Sequence, residues 1–141
     1  MSGLYLDASA LVPLFVGEPS SDRIERFLRG APDELTVSDL AAAEFASAIS
    51  RLVRTGVLGA ADAQDRLLDF DAWRAADTEN VDLVAADVRA ASAIVRRFEL
   101  KLRTPDALHL AICRRIGIDL VTLDDRLAAA ASDLDITAVR P

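Results

Sequence analysis

The chain has 141 residues, about the length of one ordinary domain, and 52% of them are apolar, enough for a buried core. Its net charge of −7, with Lys101 as the only lysine, argues against a protein that coats nucleic acid through nonspecific phosphate contacts. The single cysteine, Cys113, excludes an intramolecular disulfide framework and a thiolate metal cluster. It lies in an apolar helical run, where a buried small hydrophobe is expected.

The N-terminus carries no basic segment followed by an apolar one, and no apolar run reaches the length that a bilayer requires. We therefore expect a soluble, cytoplasmic protein. The negative net charge of the chain suits a partner that carries basic side chains.

Strand-like and helix-like segments alternate along the chain, which is typical of a parallel sheet with helices on its faces. Because there are no repeats or linkers, residues 1–141 are expected to form a single α/β domain. The predicted strands lie at about residues 3–7, 34–37, 80–83, 118–122 and 135–139. The predicted helices lie at about residues 9–16, 22–29, 39–54, 61–75, 84–98, 105–116 and from 125 onwards. In the fifth helix, an apolar face is expected from the spacing of Val84, Val88, Ala91, Val95 and Phe98.

Asp7 follows the apolar run Leu4-Tyr5-Leu6, so a buried strand is expected to end there and turn directly into a helix. The carboxyl ends of parallel strands face the ligand crevice, and Asp7 is therefore expected at the mouth of the domain. The structural alternative is a helix cap, since Asp is a preferred capping residue.

Asp124 repeats this setting, because it ends an apolar run and precedes a short Ala-rich helix. Asp125 is its rival for the same role. Successive residues at a strand end point in opposite directions, so only one of the two is expected to face the site, and we favour Asp124. Thr122, two residues earlier on the same side, is expected to orient Asp124 or a water molecule.

Two further acids lie on predicted helices. Glu44 is the only charged residue from Leu40 to Ser50, which favours a crevice over a solvated helix face, where several charges are usual. Asp106 is the second residue of a helix, where an acid also interacts favourably with the helix dipole, but a very apolar segment follows it. His109, the only histidine, lies one turn later; a packed helix residue with local hydrogen bonds is favoured over a catalytic role.

Together these four acids are expected to meet at one edge of the sheet. Clustered carboxylates repel one another and are costly to bury, so a positive charge is expected among them. Oxygen ligands without a Cys or His cluster favour a hard ion, Mg²⁺ or Mn²⁺. Because such ions activate water and hold a leaving oxygen, the predicted chemistry is phosphodiester hydrolysis.

Four segments carry a resemblance to a known family, and they are Tyr5–Leu11, Ala43–Ala48, Thr104–Ala111 and Val121–Asp124. In order, spacing and chain length they resemble PIN-domain ribonucleases and, within that family, VapC toxins of bacterial VapBC toxin–antitoxin pairs. The resemblance covers the whole chain. It implies a three-layer α/β/α sandwich with a central parallel sheet of about five strands.

The resemblance also implies a metal-dependent endoribonuclease that uses Mg²⁺ or Mn²⁺ to cleave RNA and thereby inhibits translation and growth. Ser9 and Thr122 fall on supporting polar positions, and Asp7 and Asp106 come first among the direct metal ligands. A homodimer is implied, as is a VapB-type antitoxin that lays a C-terminal segment, often with an arginine, over the acidic pocket. By motif position, the catalytic and metal-binding acids are Asp7, Glu44, Asp106 and Asp124.

Other functions on a similar sheet fit less well. A phospho-receiver needs a lysine near the last strands, whereas Lys101 precedes a helix, and a haloacid-type phosphatase needs a second acid at the position of Ser9. A PIN-fold scaffold that has lost catalysis is a further alternative, but none of the four acids is missing. The candidate phosphate contacts are Arg96, Arg97, Lys101, Arg103, Arg114 and Arg115. Their positions are explained equally well if they lie on a solvated helix face.

Overall fold

The computed structural model describes residues 3–31 and 34–141. Its central sheet contains five parallel strands: β1 Gly3–Leu6, β2 Glu34–Ser38, β3 Glu79–Val81, β4 Asp119–Val121 and β5 Ala138–Val139. Their order across the sheet is β3-β2-β1-β4-β5, so the direction of chain progression reverses between β1 and β4. Open parallel sheets bind ligands at the carboxyl ends of the strands beside such a switch point.

Helices connect and cover these strands. Within the described ranges they are α1 Ala8–Phe15, α2 Ser21–Gly30, α3 Asp39–Arg54, α4 Ala60–Asp77, α5 Ala85–Val95, α6 Thr104–Ile116 and α7 Asp125–Asp133. The result is the predicted α/β/α sandwich on a parallel sheet, and the expected fold class is confirmed. In the described part of the chain, no helix has both the length and the apolar composition needed to cross a bilayer.

The residues of β1 divide between two hydrophobic cores. Leu4 and Leu6 pack in a first core with residues of α1, α2, α3 and α4. Tyr5 packs in a second core, built mainly from α5, α6 and α7. Asp7 continues the extended backbone, so it follows Tyr5 on the same side of the strand.

Aromatic packing in the first core fixes the helix that carries Glu44. Phe45 stacks on Phe70 with 4.1 Å between ring centroids, and Phe15 meets both rings edge-on. Such pairs contribute beyond the area they bury. Because Phe45 is anchored in this way, the adjacent Glu44 is held at the rim of the core.

The fifth predicted helix differs from the expectation. It ends at Val95, and Phe98 lies in a separate 3-10 turn with 84% of its surface exposed, while Val88 is 50% exposed. The face that α5 buries instead carries Asp87, Ala91 and Ile94. A pattern of apolar residues alone missed this face because one of its members is charged.

Candidate active site

Asp7 is buried directly after β1 and caps α1. Its Oδ1 accepts hydrogen bonds from the Ser9 hydroxyl at 2.6 Å and from the Ala10 N–H at 3.1 Å. Its Oδ2 accepts from the Thr122 hydroxyl at 2.6 Å. Asp7 is thus both the predicted cap and an acid at the switch point of the sheet.

Backbone groups orient the two hydroxyls that contact Asp7. Leu123 N–H donates to Ser9 Oγ at 2.9 Å, and Asp124 N–H donates to Thr122 Oγ1 at 3.0 Å. Because each hydroxyl oxygen accepts an N–H, its own proton remains available for the carboxylate.

The environment of Asp7 is unfavourable for a negative charge that has no counter-ion. Burial raises the pKa of the Asp7 carboxyl above its ordinary value, and the hydrogen bonds from Ser9 and Thr122 oppose that shift. Among the described residues, no Arg or Lys side chain pairs with Asp7. A buried carboxylate in this state is stabilised by a bound cation.

Asp124 and its neighbour Asp125 point to different partners. Asp124 is the N-cap of α7, and its Oδ1 accepts two backbone N–H groups of the first turn at 2.9 and 3.2 Å. The Asp125 side chain is 78% exposed and pairs with Arg140. The link from Asp124 to Asp7 runs from the backbone N–H of Asp124 through Thr122, whereas the Asp124 carboxylate caps α7.

Glu44 meets the only histidine of the chain. Its Oε1 is hydrogen-bonded to Nε2 of His109, which is buried on α6. Nδ1 of His109 lies 2.6 Å from the Tyr5 hydroxyl, which in turn lies 2.6 Å from Ser38 Oγ. The prediction of local hydrogen bonds for His109 was wrong, since Glu44 and Tyr5 are 65 and 104 residues away along the chain. We call Glu44, His109, Tyr5 and Ser38 the histidine-bound group.

Asp106 is half-buried in the first turn of α6, three residues before His109, so both side chains lie on one face of the helix. Its Oδ2 accepts the Arg103 N–H at 3.2 Å. This bond is the capping role that an acid in the first turn of a helix commonly plays.

The four acids are not drawn into one tight cluster. Among residues 3–31 and 34–141, no three His, Cys, Asp or Glu side chains lie close enough together to hold a metal ion. Thr122 joins the Asp7 carboxylate to the backbone N–H of Asp124, and His109 connects Glu44 to the helix of Asp106. Mg²⁺ commonly binds one or two carboxylates and keeps several waters, so these oxygen donors fit a hard divalent ion.

An arginine-lined cleft of about 350 Å³ opens beside Glu44. Its basic residues are Arg51, Arg54 and Arg103, and Ala8 lines it next to Asp7. Arg103 is one of the predicted phosphate contacts, whereas Arg51 and Arg54 were missed. Their signal was their spacing, because they follow Glu44 on α3 by about two and three helical turns.

Two other predicted phosphate contacts have acidic partners instead. Arg115 binds the buried Asp87 through Nε at 2.8 Å and Nη2 at 3.0 Å. Arg97 pairs with Glu99 at 3.2 Å on the surface. Neither matches the solvated helix face that the sequence also allowed, because Arg115 binds a buried acid and Arg97 lies between α5 and the 3-10 turn.

Comparison with known proteins places this geometry in a family. Residues 4–133 match the family described as PIN domain. The chain belongs to the PIN-domain family. Ribonuclease VapC46 of Mycobacterium tuberculosis is 36% identical over 144 residues, covering 100% of this chain and 99% of that protein. This end-to-end match places the chain among VapC ribonucleases, as the sequence motifs predicted.

Solved structures show the same fold. VapC20 of Mycobacterium tuberculosis, described as a sarcin-ricin loop cleaving toxin, gives a TM-score of 0.76 at 22% identity, covering 98% of this chain and 99% of that one. VapBC2 of Rickettsia felis, solved bound to a DNA fragment from their promoter, gives 0.71 at 14% identity and covers 98% of each chain. At these identities the likeness concerns the PIN fold alone.

Proposed function

We propose that this protein is a metal-dependent endoribonuclease that hydrolyses RNA phosphodiester bonds as the toxin of a VapBC-type pair. The observation that carries the proposal is the setting of Asp7. It is buried at the switch point of the sheet, held by two hydroxyl donors and without a cationic partner in the described residues. Membership of the VapC ribonucleases supports the reaction class.

The acids proposed to bind Mg²⁺ or Mn²⁺, one or two of them directly and the others through waters, are Asp7, Glu44, Asp106 and Asp124, and these four are also the proposed catalytic carboxylates. When bound, such an ion activates water for attack on phosphorus and stabilises charge on the leaving oxygen. The protein contributes fixed carboxylates: the hydroxyls of Ser9 and Thr122 orient Asp7, and helix N–H groups orient Asp124.

The proposed substrate is RNA, which approaches through the arginine-lined cleft. Arg51, Arg54 and Arg103 present positive charge beside Glu44 on a chain whose net charge is negative. Guanidinium groups bind phosphate oxygens strongly, so these side chains can hold the strand next to an acidic site. The local basic charge offsets the general repulsion between an acidic protein and nucleic acid.

The proposed partners are a VapB-type antitoxin and a second copy of the chain. The net charge of −7 suits an antitoxin segment with a basic side chain, and the VapBC2 neighbour belongs to such a pair. Phe98, which is 84% exposed, offers an apolar contact for a homodimer. A cytoplasmic location, where RNA of the translation machinery is found, is part of the same proposal.

A catalytically inactive PIN scaffold is the second candidate, because the four acids do not form one tight cluster among the described residues. The two candidates differ in one measurement. Purified, antitoxin-free protein is incubated with total bacterial RNA in Mg²⁺, in Mn²⁺ and in EDTA, beside Asp106→Asn and the control Asp125→Asn. A nuclease cuts at defined sites with metal, retains activity in the control and loses it in Asp106→Asn. Folded wild-type protein that cuts nothing under any condition supports the scaffold.

A further inference from the structure

We propose that His109 is a positioning residue, whose Nε2–H holds Oε1 of Glu44 and so orients the second carboxylate oxygen for the metal. The inference rests on the proposed function, because it assigns Glu44 to the metal-binding edge. It adds a role for a histidine that the sequence pattern indicated to be a packed helix residue.

The hydrogen bonds of the histidine-bound group run in one direction. Glu44 as a carboxylate can only accept, so the proton of this bond lies on Nε2 of His109. A tyrosine hydroxyl is protonated at neutral pH and can act as a donor, so Tyr5 has one proton to give. Ser38 Oγ accepts the Ala41 N–H at 3.0 Å and directs its own proton to Tyr5. Tyr5 in turn donates to Nδ1 of His109.

The imidazole ring of His109 is held in one orientation by its contacts. His109 is 3% exposed, and its ring meets the ring of Tyr5 edge-on, with 5.6 Å between centroids. Both ring nitrogens have a hydrogen-bond partner. A ring held at both nitrogens in this way fixes Glu44 on α3 relative to Tyr5 on β1.

Glu44 needs such a restraint. Its side chain is 32% exposed, and Ala43, Ser47 and Ala48 beside it on the helix are small. Among the described residues, no group donates a hydrogen bond to its Oε2, which leaves that oxygen available to a cation. A glutamate held at one oxygen loses less rotamer freedom when a metal binds, so the ligand is preorganised.

Two substitutions of His109 separate the hydrogen bond from simple packing. In His109→Gln the amide nitrogen reaches about as far from the backbone as Nε2, whereas in His109→Asn it reaches only as far as Nδ1. We expect His109→Asn to weaken Mn²⁺ binding by about 10- to 100-fold, the usual effect of losing a partner of a metal ligand, and His109→Gln to restore most of it. Calorimetric titration of RNA-free protein with Mn²⁺ gives the affinities, and thermal unfolding reports the fold.

Tyr5→Phe gives a third variant that leaves the imidazole in place. It removes only the hydroxyl that contacts Nδ1, and about a fivefold loss of Mn²⁺ affinity is expected for one neutral hydrogen bond. If His109→Asn fails to fold, the Tyr5→Phe variant tests the positioning role of His109 instead. In that case, Tyr5→Phe with the affinity of the wild type overturns the proposal.

A spectroscopic measurement tests the proposal without metal or RNA. Because the sequence has one histidine, untagged ¹⁵N-labelled protein has a single pair of imidazole nitrogen signals. A proton on Nε2 is expected. A bare Nε2 with the proton on Nδ1 contradicts the proposal, because the ring then has no donor for Glu44.

The outcomes distinguish the positioning role from the nuclease itself. If the wild type cuts RNA and binds Mn²⁺, and folded His109→Asn binds it equally well, the positioning role is wrong and the nuclease stands. Equal losses in His109→Asn and His109→Gln mean that the ring matters only for packing, which also overturns the proposal. If the wild type neither binds Mn²⁺ nor cuts RNA, both proposals fail.

Discussion

Two aspartates are buried among the described residues, and they have opposite surroundings. Asp7 at the end of β1 is 4% exposed, and Asp87 on α5 is 1% exposed. Asp87 receives Nε and Nη2 of Arg115, together with the Val84 N–H at 3.0 Å. Asp7 receives hydroxyls and one backbone N–H, without a cation.

Their pKa values shift in opposite directions as a result. Burial acts to raise both, but at Asp87 the hydrogen bonds and charge of Arg115, with the Val84 N–H, lower the pKa below its ordinary value. At Asp7 burial prevails and the pKa is raised. An acid with its cation supplied by the fold stabilises the structure, whereas an acid without one is suited to bind a cation from solution.

The largest effect is expected for Asp7→Asn. Cleavage should fall by about a thousandfold or more, as when one group that stabilises developing charge is removed. The fold should persist, because Asn also caps helices well. Rates of cleavage of total bacterial RNA, with circular dichroism, check both points. An unfolded variant would show that Asp7 is chiefly a structural cap.

The same substitution should abolish the stabilisation of the protein by metal. Because the folded pKa of Asp7 is raised, its destabilising contribution appears as pH rises above the unfolded value of about 3.9. Without metal at neutral pH, Asp7→Asn should therefore be more stable than the wild type. Mn²⁺ at about 100 times its Kd should stabilise only the wild type, by about 2.7 kcal/mol. Equal stabilisation of both proteins in thermal unfolding would contradict a site at Asp7.

Asp87→Asn should have the reverse profile, with lower stability and unchanged cleavage. Loss of a charge-assisted hydrogen-bond pair should reduce the free energy of unfolding by about 2 kcal/mol. Because the folded pKa is lowered, this contribution is present above the unfolded pKa of about 3.9 and is lost as pH falls through the folded value. Urea unfolding at neutral pH and at about pH 3 measures the difference, which should shrink in acid. If the folded variant lost cleavage, Asp87 would not have the purely structural role that distinguishes it from Asp7.

The smallest effect on the cleavage rate is expected for Asp124, and it should distinguish Asp124 from Asp125. Asp124→Asn should lower the cleavage rate by about tenfold, equivalent to about 1.4 kcal/mol, while its amide oxygen retains the cap of α7. Asp125→Asn should leave the rate unchanged, since that side chain pairs with Arg140 at the surface. Comparable losses in both variants would contradict the choice of Asp124 over Asp125 as the site acid.

Local patterns were enough to locate the acids. The apolar run before Asp7 predicted a strand ending on an acid, and the lack of charge around Glu44 predicted a crevice. The contacts of the acids were not predictable in this way. The sequence analysis did not single out Asp87, whose partner Arg115 is 28 residues away, and it favoured packing for His109, whose partner Glu44 is 65 residues away.

The sequence by itself determined the alternation of strands and helices, the fold class and the position of each acid at a strand end or on a helix. These features depend on periodicity and on preferences that act over a few residues. Only the tertiary structure decided which acid receives a guanidinium, which receives hydroxyls and which receives an imidazole. Side-chain hydrogen bonds act over about 3 Å, and it is the strand order β3-β2-β1-β4-β5 and the packing of α3 and α6 that bring distant residues within that distance.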